Sequence, residues 1–167
     1  MKVYPDCYLE NVKYISLEML NENKLKGIIL DVDNTLIDKD KTLLKGVEEW
    51  CNHLKNVGIK FCILSNSNKK EKIKKVAEKL NIPYISFAKK PLKKGFKKAK
   101  DILGLENNQI AVVGDQIFTD VIGANRCKMF SILVKPISKK DIFITVIKRP
   151  IENWIIKRYI EKGKRDK

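Results

Sequence analysis

The sequence lacks any CxxC pair: its four cysteines, Cys7, Cys51, Cys62 and Cys127, lie far apart, and its one histidine is His53. Neither a zinc cluster nor a disulfide framework is indicated, and a reducing, cytoplasmic setting is the expectation. No apolar run approaches the roughly 20 residues of a membrane-spanning helix, and the opening "MKVYPDCYLE" has no signal core, so contact with a membrane would be peripheral. Glycine and proline are few, 8 and 5, which argues against disordered linkers and fibrous repeats. Arginine is scarce too, since 31 of the 35 basic residues are lysine. Between Lys69 and Lys100 the aromatics are Tyr84, Phe87 and Phe96, so bidentate base contacts and base stacking have little to work with, and nucleic acid is a disfavoured partner. Two phosphate-binding devices are also missing: no cysteine has an arginine six positions later, and there is no G-x-x-x-x-G-K-[ST] cradle.

What the chain does have is positive charge and evenly spaced apolar runs. The formal net charge is +15 over 167 residues, divided as −3 over 1–50, +13 over 51–100 and +5 over 101–167. A segment this basic attracts nucleic acid, anionic headgroups or phosphorylated substrates. Abundant lysine, asparagine and isoleucine are equally what an AT-rich genome encodes. Five runs have strand length: "GIILDV" (27–32), "IKFCILS" (59–65), "PYISF" (83–87), "IAVVG" (110–114) and "FSILV" (130–134). Their near-continuous hydrophobicity predicts strands buried on both faces. Helical stripes fall between them at Val47, Trp50, Cys51 and Leu54, at Ile73, Val76, Ala77 and Leu80, and at Leu92, Phe96, Ala99 and Leu103, with a shorter candidate over Thr119–Cys127. The expected fold is one domain over 1–167, a three-layer α/β/α doubly wound parallel sheet of about five strands. Residues 1–26 form an N-terminal segment with a short helix over 16–24, and residues 150–167 a basic terminal helix opened by Pro150.

In such sheets ligands bind beyond the carboxyl ends of the strands, and polar residues collect there. Asp31 closes the first strand, with Asp33 two residues on; Ser65 closes the second; Lys89 and Lys90 follow the third; Gly114 and Asp115 close the fourth, with Asp120 five residues later. Gathered carboxylates repel one another unless a cation joins them, and an all-oxygen ligand set suits Mg²⁺. Mg²⁺ together with a lysine neutralises a phosphate. One carboxylate can then attack phosphorus to give an aspartyl-phosphate, while a second carboxyl moves protons. A receiver domain also uses Asp, hydroxyl and Lys around Mg²⁺, but wants its phospho-acceptor on the third strand, which here ends in "SFAKKP" without an acid.

At these residues the chain resembles the haloacid dehalogenase-like (HAD) superfamily, whose first motif D-x-D-x-T is matched by Asp31, Asp33 and Thr35. Ser65, Lys90 before Pro91, and Gly114, Asp115 and Asp120 match the other three motifs in order. The resemblance implies Asp31 as nucleophile, Asp33 as acid and base, Mg²⁺ held by Asp31, Asp115 and the main-chain carbonyl of Asp33, and Ser65 and Lys90 on the transferring phosphoryl group. The intervals from Asp33 to Ser65 and from Ser65 to Lys90 leave no room for a cap domain, so the site is expected to be open to substrates that carry their own bulk. "ILDVDNTL", "SNS", "AKKP" and "VVGDQIFTDVIGANR" are together similar to the YqeG-type branch of HAD subfamily IIIA, whose relatives in mitochondria and plastids are phosphatidylglycerophosphate phosphatases. That implies an anionic phospholipid substrate and an enzyme peripheral to the inner face of the membrane. Soluble phosphate esters, phosphoproteins, and an RNA- or ribosome-binding role with a vestigial site stand as alternatives.

Plainer roles compete at several positions. Asp120 sits where an acid would stabilise a helix start. Asn68 with Glu71 reads as a capping pair, and Asn66, Ser67 and Asn68 as turn and cap residues, with Asn66, Thr35 and Asp120 also candidates to support the site from behind. Pro91 as a first helical residue favours Lys90 over Lys89. His53 reads as exposed, and Asp38 and Asp40 as part of a solvated flap. In the terminal helix, Ile151, Trp154, Ile155, Tyr159 and Ile160 beside Lys157, Arg158 and Lys162 suit either an anionic membrane surface or packing on the sheet.

Overall fold

Gly27–Leu30 is apolar at every position and buried throughout, as a strand must be when both of its faces are covered. This strand, β2, is the middle of a computed structural model that describes residues 1–138 and 143–165, with side chains described for 1–138 and 150–163. β3 (Lys60–Leu64) lies on one side of it and β5 (Ile110–Gly114) on the other, so that Leu30 pairs with both Ile63 and Val113. Beyond them lie β4 (Tyr84–Ile85) and β6 (Phe130–Val134), and β1 (Cys7–Leu9) adds a further edge next to β6. All pairings are parallel, in the order β1-β6-β5-β2-β3-β4.

The helices take the two faces as the stripes predict, except that Leu92 lies just before its helix and is exposed. Alternate residues of β2 point opposite ways. Ile28 and Leu30 pack with Val47, Cys51 and Leu54 of α2 (Val47–Asn56) and with Ile73, Ala77 and Leu80 of α3 (Lys70–Leu80). That face also holds Leu20 of α1 (Leu17–Glu22), a short helix capped by Ser16, whose Oγ accepts from the Met19 N–H at 3.1 Å. Ile29 packs the other way, with Phe96, Ala99 and Leu103 of α4 (Lys93–Leu103) and Ala124 of α5 (Ile122–Arg126). Each buried Val, Leu, Ile or Phe among them contributes about 1.5–3 kcal/mol relative to exposure. His53 is exposed, as expected.

Four local features differ from the sequence reading. The sheet has six strands, because Cys7–Leu9 joins it. Its apolar content is too short to signal a strand, and polar contacts fasten it instead. Asp6 Oδ2 accepts from the Ser131 N–H at 2.8 Å and the Asp6 N–H donates to the Ser131 carbonyl at 2.9 Å, while the Asn125 side chain donates to the Lys2 and Tyr4 carbonyls at 2.9 and 3.1 Å. The terminal helix, α6 (Phe143–Arg165), carries Pro150 inside it rather than at its start; an interior proline costs a helix about 3 kcal/mol but does not forbid it. Asn68 does not cap α3: Lys69 is the residue before the helix, and Ser67 Oγ accepts the Lys69 N–H at 3.1 Å. Pro91 is not a first helical residue either, because α4 begins at Lys93.

One face of α6 packs on the protein. Ile155 is buried with Ile117, Val121, Ile122 and Leu133, Glu152 is buried and accepts from the Phe118 N–H at 3.2 Å, and the Tyr159 ring stacks on Tyr4. Ile151 and Trp154 are exposed. Among the described residues no helix is long and apolar enough to cross a membrane.

The Asp6 clamp has a pH signature. Burial works against the Asp6 carboxylate, but Lys2 and Ser131 outweigh it and hold its pKa below the usual carboxylate value. A depressed folded-state pKa stabilises the protein above the unfolded value, about 3.9, and that stability is lost as pH falls through the folded value. Asp6→Asn is therefore expected to lower the urea midpoint at pH 7, with the difference from wild type shrinking below about pH 4. A difference that does not vary with pH would assign the loss to packing instead.

Candidate active site

The strand order reverses between β2 and β5, because the chain runs from β2 outward through β3 and β4 and then returns to β5 and β6 on the other side. A crevice opens at the carboxyl end of such a switch point. Asp31 stands there, its N–H donating to the Val113 carbonyl at 2.9 Å and so extending the ladder one residue past β2. The chain then turns tightly: the Val32 carbonyl accepts from the N–H groups of Thr35, Leu36 and Ile37 at 3.2, 2.9 and 3.2 Å. Asn34 takes the left-handed conformation this requires, φ +60°, which asparagine tolerates better than most residues. Beyond the turn, Ile37 bridges to Leu43, and Asp38 Oδ1 accepts from the Asp40 and Thr42 N–H groups, both at 2.9 Å. Asp38 thus shapes the flap, away from the site.

Lys90 reaches the crevice from the other direction. Its Nζ lies 2.9 Å from Asp31 Oδ1 and 2.7 Å from Asp120 Oδ1, with 3% of the side chain exposed. Asn66 aims it: the Lys90 N–H donates to Asn66 Oδ1 at 2.6 Å and Asn66 Nδ2 donates to the Lys90 carbonyl at 3.1 Å. Lys89 goes elsewhere, its Nζ 5.1 Å above the exposed Phe87 ring. Burial opposes charge on Lys90, but Asp120 and then Asp31 outweigh it and hold the ammonium above the ordinary lysine range. For Asp31, burial is the largest influence and raises its pKa; Lys90 pulls it down and Asp120 pushes it up, leaving it at about 6.

Asp120 has both of the roles the sequence offered. Its Oδ2 accepts from the Gln116 N–H at 3.2 Å, in the manner of a helix-start acid, while Oδ1 meets Lys90. The backbone here makes one π-helical turn, Ile117–Val121, before α5 begins; such wide turns recur at functional sites. Gly114 leaves the space, since a Cβ built on it would lie 2.1 Å from Asp120 Oδ2. Asp115 is 2% exposed, and Thr35 Oγ1 lies 3.4 Å from Asp31 Oδ2 and 3.5 Å from Asp115 Oδ1. Carboxylate oxygens of Asp31, Asp115 and Asp120 all lie within 4.8 Å of one another. Three carboxylates facing one ammonium leave excess negative charge and hard oxygen donors, a set that fits a divalent cation of the Mg²⁺ kind.

The carboxylate of Asp33 stands apart from this group, half exposed and 2.6 Å from Lys72 Nζ. Lys72 went unnoticed in the sequence; its signal was its place in the first turn of α3, which begins at the same sheet edge. Ser65, 1% exposed, accepts from the Ser67 N–H at 3.1 Å, and its own hydroxyl hydrogen has no acceptor among the described residues.

The family described as haloacid dehalogenase-like hydrolase matches residues 39–128, more than half of the chain. A Bacillus subtilis (strain 168) protein, named probable phosphatase YqeG, is 39% identical over 160 residues, which cover 95% of this chain and 92% of that protein. The chain belongs to the haloacid dehalogenase-like hydrolases. The enzyme class expected from its motifs, a HAD-type phosphatase, stands. An Arabidopsis thaliana HAD relative, phosphatidylglycerophosphate phosphatase 1, chloroplastic/mitochondrial, is 25% identical over 96% of this chain, which spans 49% of that protein's length. Among solved structures, a Listeria monocytogenes serotype 4b protein aligns with a TM-score of 0.58 at 22% identity, covering 71% of this chain and 85% of that one. A HAD phosphatase from Thermococcus onnurineus aligns at 0.52, also at 22% identity, over 61% and 51%. Both share the doubly wound HAD fold. Here the interval from Asp33 to Ser65 holds a flap, α2 and β3, and that from Ser65 to Lys90 holds α3 and β4, with no inserted cap.

Gly114→Ala tests how tightly this HAD site is built. The added methyl must push Asp120 away from Lys90, and misplacement by about 1 Å costs roughly 100-fold. The expected result is a kcat for p-nitrophenyl phosphate lowered by about that factor with an unchanged circular dichroism spectrum; a wild-type kcat would show that Asp120 has room to move.

Proposed function

We propose that the protein is a Mg²⁺-dependent phosphomonoester hydrolase working through an aspartyl-phosphate, and that its substrate is phosphatidylglycerophosphate at the inner membrane surface. The observation that carries the chemistry is the buried Lys90 ammonium bridging Asp31 and Asp120, with Asp115 completing the carboxylate group. Burying these charges costs several kcal/mol per ion unless they are paired, and a protein that only binds RNA has no use for them.

In the proposed reaction an Asp31 oxygen attacks phosphorus as the bond from phosphorus to the leaving oxygen breaks. Asp33, at the mouth and outside the carboxylate group, gives its proton to that oxygen. Water then attacks the aspartyl-phosphate, losing a proton to Asp33, and the bond between phosphorus and the Asp31 oxygen breaks to release phosphate. Lys90 and the Ser65 hydroxyl hold the phosphoryl oxygens, and Thr35 steadies Asp31 and Asp115. A divalent ion held by Asp31, Asp115 and the Asp33 carbonyl, with Asp120 close by, would offset phosphate charge and keep Asp31 ionised.

Support for a lipid substrate comes from the name of the Arabidopsis relative, the uncapped mouth and the lysine-rich 51–100 segment. The second reading keeps the enzyme and changes the substrate to a soluble ester or phosphoprotein. Asp33→Asn is expected to cut turnover by about 10²- to 10⁴-fold without unfolding the protein, and unchanged hydrolysis would sink the mechanism. Turnover of phosphatidylglycerophosphate in vesicles is expected to exceed that of a soluble ester panel; soluble substrates preferred by orders of magnitude would remove the lipid.

A further inference from the structure

Phe87 and Leu92 stay in water, 59% and 53% exposed. Both sit on the loop from β4 to α4, the segment that lowers Lys90 onto the carboxylates. Within it Phe87 and Lys89 adopt left-handed backbone, φ +52° and +56°, while Ala88 between them is buried. Bulky side chains rarely take that conformation, and strain of this kind persists where a site needs it. Here it turns an aromatic ring and an ammonium outward together. Helices that follow parallel strands begin at the carboxyl edge of the sheet, so Lys69 and Lys70 at the start of α3, and Lys93 and Lys94 at the start of α4, add exposed positive charge to that edge.

We infer that this loop docks the protein on an anionic lipid bilayer, with Phe87 and Leu92 entering the interface and the lysine collar resting on the headgroups. The inference deepens the proposed function and rests on it for the purpose of the docking: the docked face is the mouth of the site. The occupant follows from the chemistry. Two exposed apolar side chains, before and after the buried Lys90 in the chain, offer a folded partner little apolar area, but each can enter a soft interface alone. The collar is all lysine, and compact hydrated charges suit a diffuse anionic surface rather than bidentate recognition. A ring that already carries Lys89 over its face is poorly placed to stack on a base.

Co-sedimentation with vesicles that contain no substrate tests this. The full chain is expected to bind phosphatidylcholine vesicles carrying phosphatidylglycerol, to leave pure phosphatidylcholine unbound, and to weaken as salt rises. Phe87→Ser/Leu92→Ser should lower binding at least about tenfold, with p-nitrophenyl phosphate turnover unchanged, which also shows that the variant is folded. Lys93→Gln/Lys94→Gln, which leaves the apolar pair in place, should reduce the dependence on phosphatidylglycerol. Binding that survives both variants, binding abolished instead by Trp154→Ala on α6, or tighter binding to single-stranded RNA than to vesicles would overturn the inference. Wild-type turnover of the soluble ester without vesicle binding overturns docking alone. Vesicle binding that depends on Phe87 and Leu92, without turnover of any ester, supports docking and fails the phosphatase reading.

Discussion

A single buried ammonium holds the site together. Asp31, Asp115 and Asp120 come from the ends of two neighbouring strands and the turn beyond one of them, and carboxylates within 4.8 Å of one another in a low-dielectric crevice would repel or protonate without a partner. Lys90 Nζ, bonded to Asp31 and Asp120, supplies that partner. Removing one member of a buried ionic group costs about 3–5 kcal/mol because the others are left uncompensated. The surroundings serve this contact: Asn66 clasps the Lys90 main chain, Gly114 leaves the space Asp120 fills, and the π-helical turn after Gln116 brings Asp120 in under it. One ammonium does not neutralise three carboxylates, and the remaining charge is what fits the crevice to a divalent cation.

The same arrangement separates two acids that are neighbours in sequence. Asp31 is fixed among the buried charges, and burial lifts its pKa to about 6. Asp33, two residues on, faces the mouth beside Lys72. One carboxylate is packed against the Lys90 ammonium and two other acids; the other is half exposed to solvent beside an ammonium. The turn around Val32 produces the difference, since it reverses the chain directly after Asp31.

Much of this was legible because parallel strands are buried on both faces: their apolar runs are long, and the polar residues that end them stand out. Asp31, Ser65 and Asp115 stood out as candidates in that way, and so did the doubly wound sheet; Lys90 was preferred to Lys89 on the reading of Pro91 as a first helical residue, which it is not, and what brings Lys90 to the carboxylates is its own loop. β1 did not stand out, because three half-buried residues carry little pattern and their fastening depends on Asp6 meeting Ser131, 125 positions away. Lys72 was hidden among the 15 lysines of residues 51–100, which sequence alone does not rank. Asn66 and Asp120 were read both as turn and helix-start residues and as candidates to support the site; which partner each meets, Lys90 in both cases, depends on a tertiary approach that local pattern does not contain.

In the proposed reaction the Asp31 carboxylate carries the phosphoryl group between the two half-reactions. Quenching the enzyme during turnover of a phosphate ester and reducing it with borohydride converts an aspartyl-phosphate to homoserine, which peptide mass spectrometry locates. Homoserine is expected at position 31, present only with substrate and absent from Asp31→Asn. Turnover with no modified Asp31, or a phosphoryl group found on Ser65, would contradict it.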